Sequence, residues 1–179
     1  MIIGITGTLG AGKSTVISFL KEHGFKHYSV REFLKEEIKK RDLPVNRDSM
    51  VKVANELRKN NSPSYIIEQL YKKAKADKNS IIESIRTPGE VEYLKQKKDF
   101  ILVAIDADQH IRYERISRRN SETDNISFEE FKANEEREMT TDDPNKQNLA
   151  RCIELADHKI ENSGSLDNLK HSFRKFLVF

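Results

Sequence analysis

Short apolar runs alternate along this chain with longer stretches in which apolar residues return every three or four positions. The runs at Ile2–Thr6, Lys26–Ser29, Ser80–Ile85, Phe100–Ile105 and His158–Glu161 predict strands. "SIIESI" and "FILVAID" are apolar on both faces, which suits strands buried inside a parallel sheet. The intervening segments 13–23, 30–41, 47–59, 63–77, 88–98, 108–119, 127–139, 145–156 and 165–177 carry helical spacing. Ser29 with Glu32, and Ser127 with Glu130, have the three-residue separation of a capping box. Strands alternating with helices in this order predict a doubly wound α/β layer sandwich, in which ligands gather at the carboxyl ends of the strands.

Composition adjusts this picture only slightly. The chain has 179 residues, which predicts a single domain over 1–179. Lys and Arg number 32 against 29 Asp and Glu, a net charge of +3 with the signs mixed. That balance argues against a nucleic-acid arm and is compatible with small anionic ligands. The basic runs "KEEIKKR" and "KQKK" have no aromatic platform beside them, so nucleic acid is not an expected partner. A single cysteine, Cys152, suits a reducing compartment and a cytoplasmic location. "MIIGITG" has neither a basic leader region nor a long apolar run, so neither a leader nor a membrane span is expected. The five histidines lack metal-ligand spacing, so no protein-held zinc is expected.

The chemistry begins at "GITGTLGAGKST", residues 4 to 15. Gly7, four residues, then Gly12-Lys13-Ser14 fits the phosphate-binding P-loop, with an apolar strand before it and a helical segment after it. Its glycines let backbone N–H groups turn inward, and the helix start adds partial positive charge. Lys13 supplies a mobile charge for β- and γ-phosphates, and Ser14 a hydroxyl for Mg²⁺. The motif predicts a nucleoside triphosphate site without choosing between kinase, GTPase and ATPase.

Three further stretches narrow the choice. "SIIESIRTPGEVEYL" ends a strand in Glu83, an acid able to hold the water shell of Mg²⁺, and then offers Arg86 for a second phosphate. "DQHIRYERISRRNSE" spaces Arg112, Arg115 and Arg119 along one helix face and leads into the polar segment "RRNSETDNISFEE". Arginines on a mobile lid could neutralise a transferring phosphoryl group and exclude water. "YSVREFLKEEIKKR" places Ser29, Arg31 and Lys35 toward an acceptor, and "NRDSMVKVANELRKN" adds Arg47 and Arg58 on an amphipathic helix.

Taken with "ADHKIENSGSLDNL" near the end, these stretches resemble the nucleoside-monophosphate-kinase group over almost the whole chain. Within it the chain is most similar to dephospho-CoA-kinase-like, archaeal adenylate-kinase-related and deoxynucleoside-monophosphate-kinase-like proteins. The resemblance implies a three-layer α/β/α P-loop NTPase fold with a five-stranded parallel sheet, a helical lid over about 112–140 and acceptor-binding helices over about 30–77. It implies ATP and Mg²⁺ as cofactors and a small-molecule phosphate acceptor as partner. Gly7, Thr8, Leu9, Gly10, Ala11, Gly12, Lys13, Ser14 and Thr15 would cradle the donor phosphates. Asn162, Gly164 and Ser165 lie in the stretch that resembles the adenine-holding loop. Lys13, Arg115 and Arg119 would act on the transferring group, and Ser14 and Glu83 would serve the metal. Ser29, Arg31, Lys35, Arg58 and Arg86 would bind the acceptor.

The chain departs from that group in three places. Its third strand ends in Glu-Ser where close relatives have Asp-Gly, and Lys35 stands where an arginine is usual. The acidic signature of true dephospho-CoA kinases after the second strand is missing. The acceptor side therefore favours a nucleoside or deoxynucleoside monophosphate over a hydroxyl. Dephospho-CoA-type transfer and a nucleotide-binding regulatory module without turnover remain the other readings.

Overall fold

The computed structural model describes residues 1–119 and 126–175. Five strands form one parallel sheet: β1 (Ile2–Gly7), β2 (Lys26–Ser29), β3 (Ser80–Glu83), β4 (Phe100–Asp106) and β5 (His158–Glu161), in the order β2-β3-β1-β4-β5. Side chains alternate between the two faces of each strand. Ile2, Ile82 and Leu102 therefore enter one core, and Ile3, Ile5, Ile81, Val103, Ile105 and Ile160 the other. Each such buried aliphatic side chain contributes about 1.5–3 kcal/mol.

The helices divide accordingly. On the first face, α2 (Val30–Lys39), α3 (Arg47–Asn60), α4 (Tyr65–Ala74), α5 (Pro88–Lys95) and α8 (Leu149–Glu154) cover the sheet. On the second, α1 (Lys13–Glu22) and α9 (Leu166–Arg174) do so through Val16, Leu20, Leu169 and Phe173. The result is the three-layer α/β/α sandwich expected from the pattern. Two more helices, α6 (Gln109–Arg119) and α7 (Phe128–Met139), follow β4 at the carboxyl edge. Tyr113 of α6 packs on Phe128 and Phe131 of α7, and His110 stacks on Phe128. The middle of the polar segment expected as part of a lid, residues 120–125, lies outside the described residues.

Two local expectations are corrected. The third strand ends at Glu83 and not at Ile85, because Ser84 adopts φ +66. Its amide and that of Ile85 both turn toward the Ile5 carbonyl, at 3.0 and 3.4 Å. Ser29 caps α2 by accepting from the Glu32 amide at 3.2 Å, but the reciprocal half of the box is replaced by an ion pair from Glu32 to Lys35 at 2.8 Å. The Ser127–Glu130 box is complete.

Candidate functional site

The loop after β1 is built so that its backbone can approach an anion. Gly7 has φ +129, and a Cβ there would lie 1.9 Å from the Ile105 carbonyl oxygen, so only glycine lets β1 leave the sheet beside β4. Gly12 has φ +96 and starts α1 with no side-chain cap. The first-turn N–H groups of α1 thus lack a side-chain acceptor and present the positive end of the helix to the loop.

Neighbouring elements hold the loop from outside. Thr8 Oγ1 donates to Asp106 Oδ1 at 2.5 Å. Asn162 donates from Nδ2 to the Ala11 carbonyl at 2.8 Å. Arg112, 6% exposed, donates to the Leu9 carbonyl at 3.3 Å and to the Ala107 carbonyl at 2.7 Å, and pairs with Glu135 of α7. These residues come from β4, β5's exit and α6, so loop geometry depends on three distant parts of the chain.

Lys13 folds back over the loop, donating to Gly7 O at 2.8 Å and Thr8 O at 2.5 Å. Burial pushes its pKa down to about 7, aided by the Arg86 guanidinium and, less strongly, by Arg119; Glu83 and Glu138 oppose the fall.

A cavity of about 580 Å³ opens from this loop toward α2 and α3. Gly10, Gly12, Lys13 and Ser14 form its loop end, Val30, Leu34, Met50, Val51 and Ala54 an apolar wall, and seven Lys and Arg side chains face three Glu around its rim. Glu83 and Ser14 line this same space. The Glu83 carboxylate is anchored by the hydroxyls of Ser29 and Ser84, both at 2.6 Å. Oxygen donors of this kind suit a hard cation that keeps much of its water. Among the described residues no group of three or more His, Cys, Asp or Glu converges on a metal position.

The structure brings Ser29, Arg31, Arg58, Arg86 and Arg119 to the cavity. Arg58 is 2% exposed; its Nε and Nη2 bond Glu90 Oε1 at 3.1 and 2.8 Å, while its buried Nη1 has no partner. Lys35 stays on the outer turn of α2 with Glu32 and does not line the cavity. Arg115 does not line it either. Thr15 belongs to the first turn of α1, and its amide bonds Gly12 O at 3.1 Å. Gly164 precedes Ser165, whose hydroxyl caps α9 by accepting from the Asn168 amide at 3.2 Å.

Several cavity residues escaped the sequence reading. Glu138, in the last turn of α7, accepts from Arg47 Nη2 at 2.6 Å and from Arg86. Arg86 also donates to Gln147 at 2.9 Å. Its α7 stretch "NEEREM" is dense in acids, so nothing local singles Glu138 out. Thr87 and Glu90 form a complete capping box at the start of α5, and their T-x-x-E spacing could have revealed it.

A parallel sheet with β3 and β4 flanking β1, and a glycine-rich loop leading into α1, define a P-loop protein of the kinase-like kind. Residues 3–141 match the family model described as an AAA domain. The chain belongs to that family and to the UPF0200 proteins: it is 31% identical over 185 residues to the UPF0200 protein of Methanococcus vannielii, covering 99% of this chain and 97% of that one. It is 28% identical over 172 residues to the UPF0200 protein of Methanocaldococcus jannaschii, with coverage of 94% and 84%.

Solved structures show the same fold. TT1252 from Thermus thermophilus superposes with a TM-score of 0.62 at 21% identity, covering 99% of this chain and 98% of that one. Shikimate kinase from Aquifex aeolicus gives 0.54 at 18%, with 98% and 95% covered. Dephospho-CoA kinase from Campylobacter jejuni gives 0.53 at 16%, with 97% and 94% covered. The fold is thus that of small-molecule kinases. No helix among the described residues is long and apolar enough to cross a membrane.

Proposed function

We propose that this protein is a kinase that transfers the γ-phosphoryl group of Mg-ATP to a nucleoside or deoxynucleoside monophosphate. One observation carries the reading: a single cavity runs from Lys13 on the loop to the Arg58 and Arg86 side chains, so two phosphates could meet in one space. The apolar wall of Leu34, Met50, Val51 and Ala54 beside those arginines suits a flat base attached to one of the phosphates.

On this reading the loop amides bind the donor phosphates and orient them in line with the acceptor. Lys13 leaves the loop carbonyls and follows the transferring group, and Arg119 approaches it from α6. Arg115 would join it if the 112–140 region closes as a lid over the 1–179 domain. Arg31, Arg58, Arg86 and Ser29 hold the acceptor; Lys35 would need to leave Glu32 to take part. Asn162, Gly164 and Ser165 border the donor's adenine. Ser14, with Glu83 acting through water, would hold magnesium, which would supply charge neutralisation at the donor phosphates. A monophosphate acceptor needs no strong base, so positioning and charge neutralisation do most of the chemistry.

The test is a coupled ADP-release assay with Mg-ATP against ribo- and deoxynucleoside monophosphates and dephospho-CoA. Turnover with one monophosphate is the expected result. Turnover with dephospho-CoA alone would replace the acceptor. Silence across the panel, with ATP binding intact, would make the protein a nucleotide-binding module.

A further inference from the structure

Glu138 carries a carboxylate from α7 to Arg86, one of the acceptor arginines, and to Arg47. It is buried, with 8% of its side chain exposed, and its two oxygens are divided between Arg47 and Arg86. These arginines belong to the start of α3 and to the turn after β3, so they are distant in sequence and meet only in the fold. A carboxylate set between two guanidiniums uses the same planar donor forks that grip a phosphate. Burial opposes its charge, yet the Arg86 and Arg47 guanidiniums win and keep it ionised below the usual carboxylate range.

One carboxylate does not satisfy the donors gathered here. Arg47 Nε is buried with no partner, and so is Arg58 Nη1. Arg58 lines the same cavity as Arg86 and is tied to its backbone, because Glu90 bonds the Arg58 side chain through Oε1 and the Arg86 amide, at 2.8 Å, through Oε2. A buried charged N–H left unmade is costly, about 1–3 kcal/mol or more. A tetrahedral anion offers more oxygens than Glu138 does and could meet these leftover donors.

We propose that Glu138 is a stand-in anion seated in the acceptor-phosphate site, and that the phosphate of the acceptor displaces it. The inference rests on the reading of Arg86 as an acceptor ligand. It also gives α7 a task. Glu135, one turn before Glu138, pairs with Arg112, which donates to Leu9 O of the phosphate loop. The helix thus holds the donor loop through Glu135 and the acceptor arginines through Glu138. Displacing Glu138 frees the second tie alone and lets α7 register that an acceptor has arrived.

The experiment uses inorganic phosphate as probe, titrated calorimetrically into protein whose donor loop is already filled with a non-hydrolysable ATP analogue and Mg²⁺. Glu138→Gln and Glu138→Ala should bind phosphate about tenfold more tightly than wild type, because the like charge to be displaced is gone. Adding Arg86→Ala to Glu138→Gln should abolish the gain. Equal or weaker phosphate binding in both single variants overturns the proposal. Should neither variant fold, wild-type hydrogen exchange decides: phosphate should speed exchange in 134–139, and slowed or unchanged exchange there overturns it. If the variants bind phosphate more tightly but no monophosphate is turned over, the seat stands and the monophosphate-kinase reading falls. If a monophosphate is turned over while the variants gain nothing, the kinase reading stands and the stand-in falls.

Discussion

Lys13 donates to the carbonyls of Gly7 and Thr8 while burial and the facing Arg86 guanidinium hold its pKa near 7. A bound triphosphate would add negative charge beside it and raise that pKa again. At pH 8 the ligand-free lysine is mostly neutral and the bound one mostly charged. Binding a non-hydrolysable ATP analogue at pH 8 should therefore take up part of a proton. Calorimetry in two buffers of different ionisation enthalpy reads this directly; no uptake, or release, would contradict the assignment. Lys13→Ala should stay folded, with a melting temperature at neutral pH no lower than that of wild type because a buried, depressed lysine is removed, and should lower turnover by a factor on the order of 10² to 10³ or more. Arg86→Ala should raise the KM of the acceptor more than it weakens ATP binding. Loss of ATP affinity alone would move Arg86 to the donor side.

At the scale of elements, the turn between β3 and α5 shows how acceptor residues are fixed. Glu90 is fully buried and serves two masters: Oε2 accepts from the amides of Arg86 and Thr87, and Oε1 from the Arg58 side chain of α3. Glu90→Gln would leave Arg58 buried beside a neutral amide. Removing one partner of a buried pair costs about 3–5 kcal/mol, and a urea titration should show a loss of that size. A loss below about 1 kcal/mol would mean that Arg58 finds water instead. The strands and helices were readable because apolar spacing is local. "SIIE" reads as a strand from its own letters, though the apolar pattern of "SIIESI" overruns its end by two residues, and "SVRE" reads as a helix start. Ser84's positive φ was not readable as such, yet the Asp-Gly usual at that place in the resembling group marks a position where glycine's freedom is useful. The P-loop was readable for the same reason: all its chemistry lies within nine residues. Glu138 and Gln147 were not, and Arg47 was legible only as a charge on an amphipathic helix, because their partnership exists only where α7, the stretch before α8 and the start of α3 converge on Arg86 and Glu138.

For the whole molecule, the carboxyl edge of the sheet gathers charges that the rest of the fold would place in water, and stability should record this. Lys13 has a lower pKa in the folded chain than its ordinary 10.5. Between about 7 and 10.5 the unfolded chain holds the extra proton, so stability of the ligand-free protein rises with pH across that window. Arg86 and Arg119 strengthen the effect, while Glu83 and Glu138 face Lys13 and moderate it. Glu138 acts at the other end. Burial opposes its charge, but Arg86 and Arg47 hold its folded pKa below the ordinary 4.5. Its stabilisation is complete above 4.5 and is lost as pH falls through the lower, folded value. Many other groups titrate in both ranges, so the informative quantity is a difference between proteins. Wild type minus Lys13→Met, by urea denaturation at a series of pH values, should show a positive slope from pH 7 toward 10 and a flat line below about 6. Wild type minus Glu138→Gln should be flat in that upper range and fall steeply below 4.5. A Lys13 difference without slope would mean that the loop lysine stays hydrated and charged, and that the donor site is open to water before its ligand arrives.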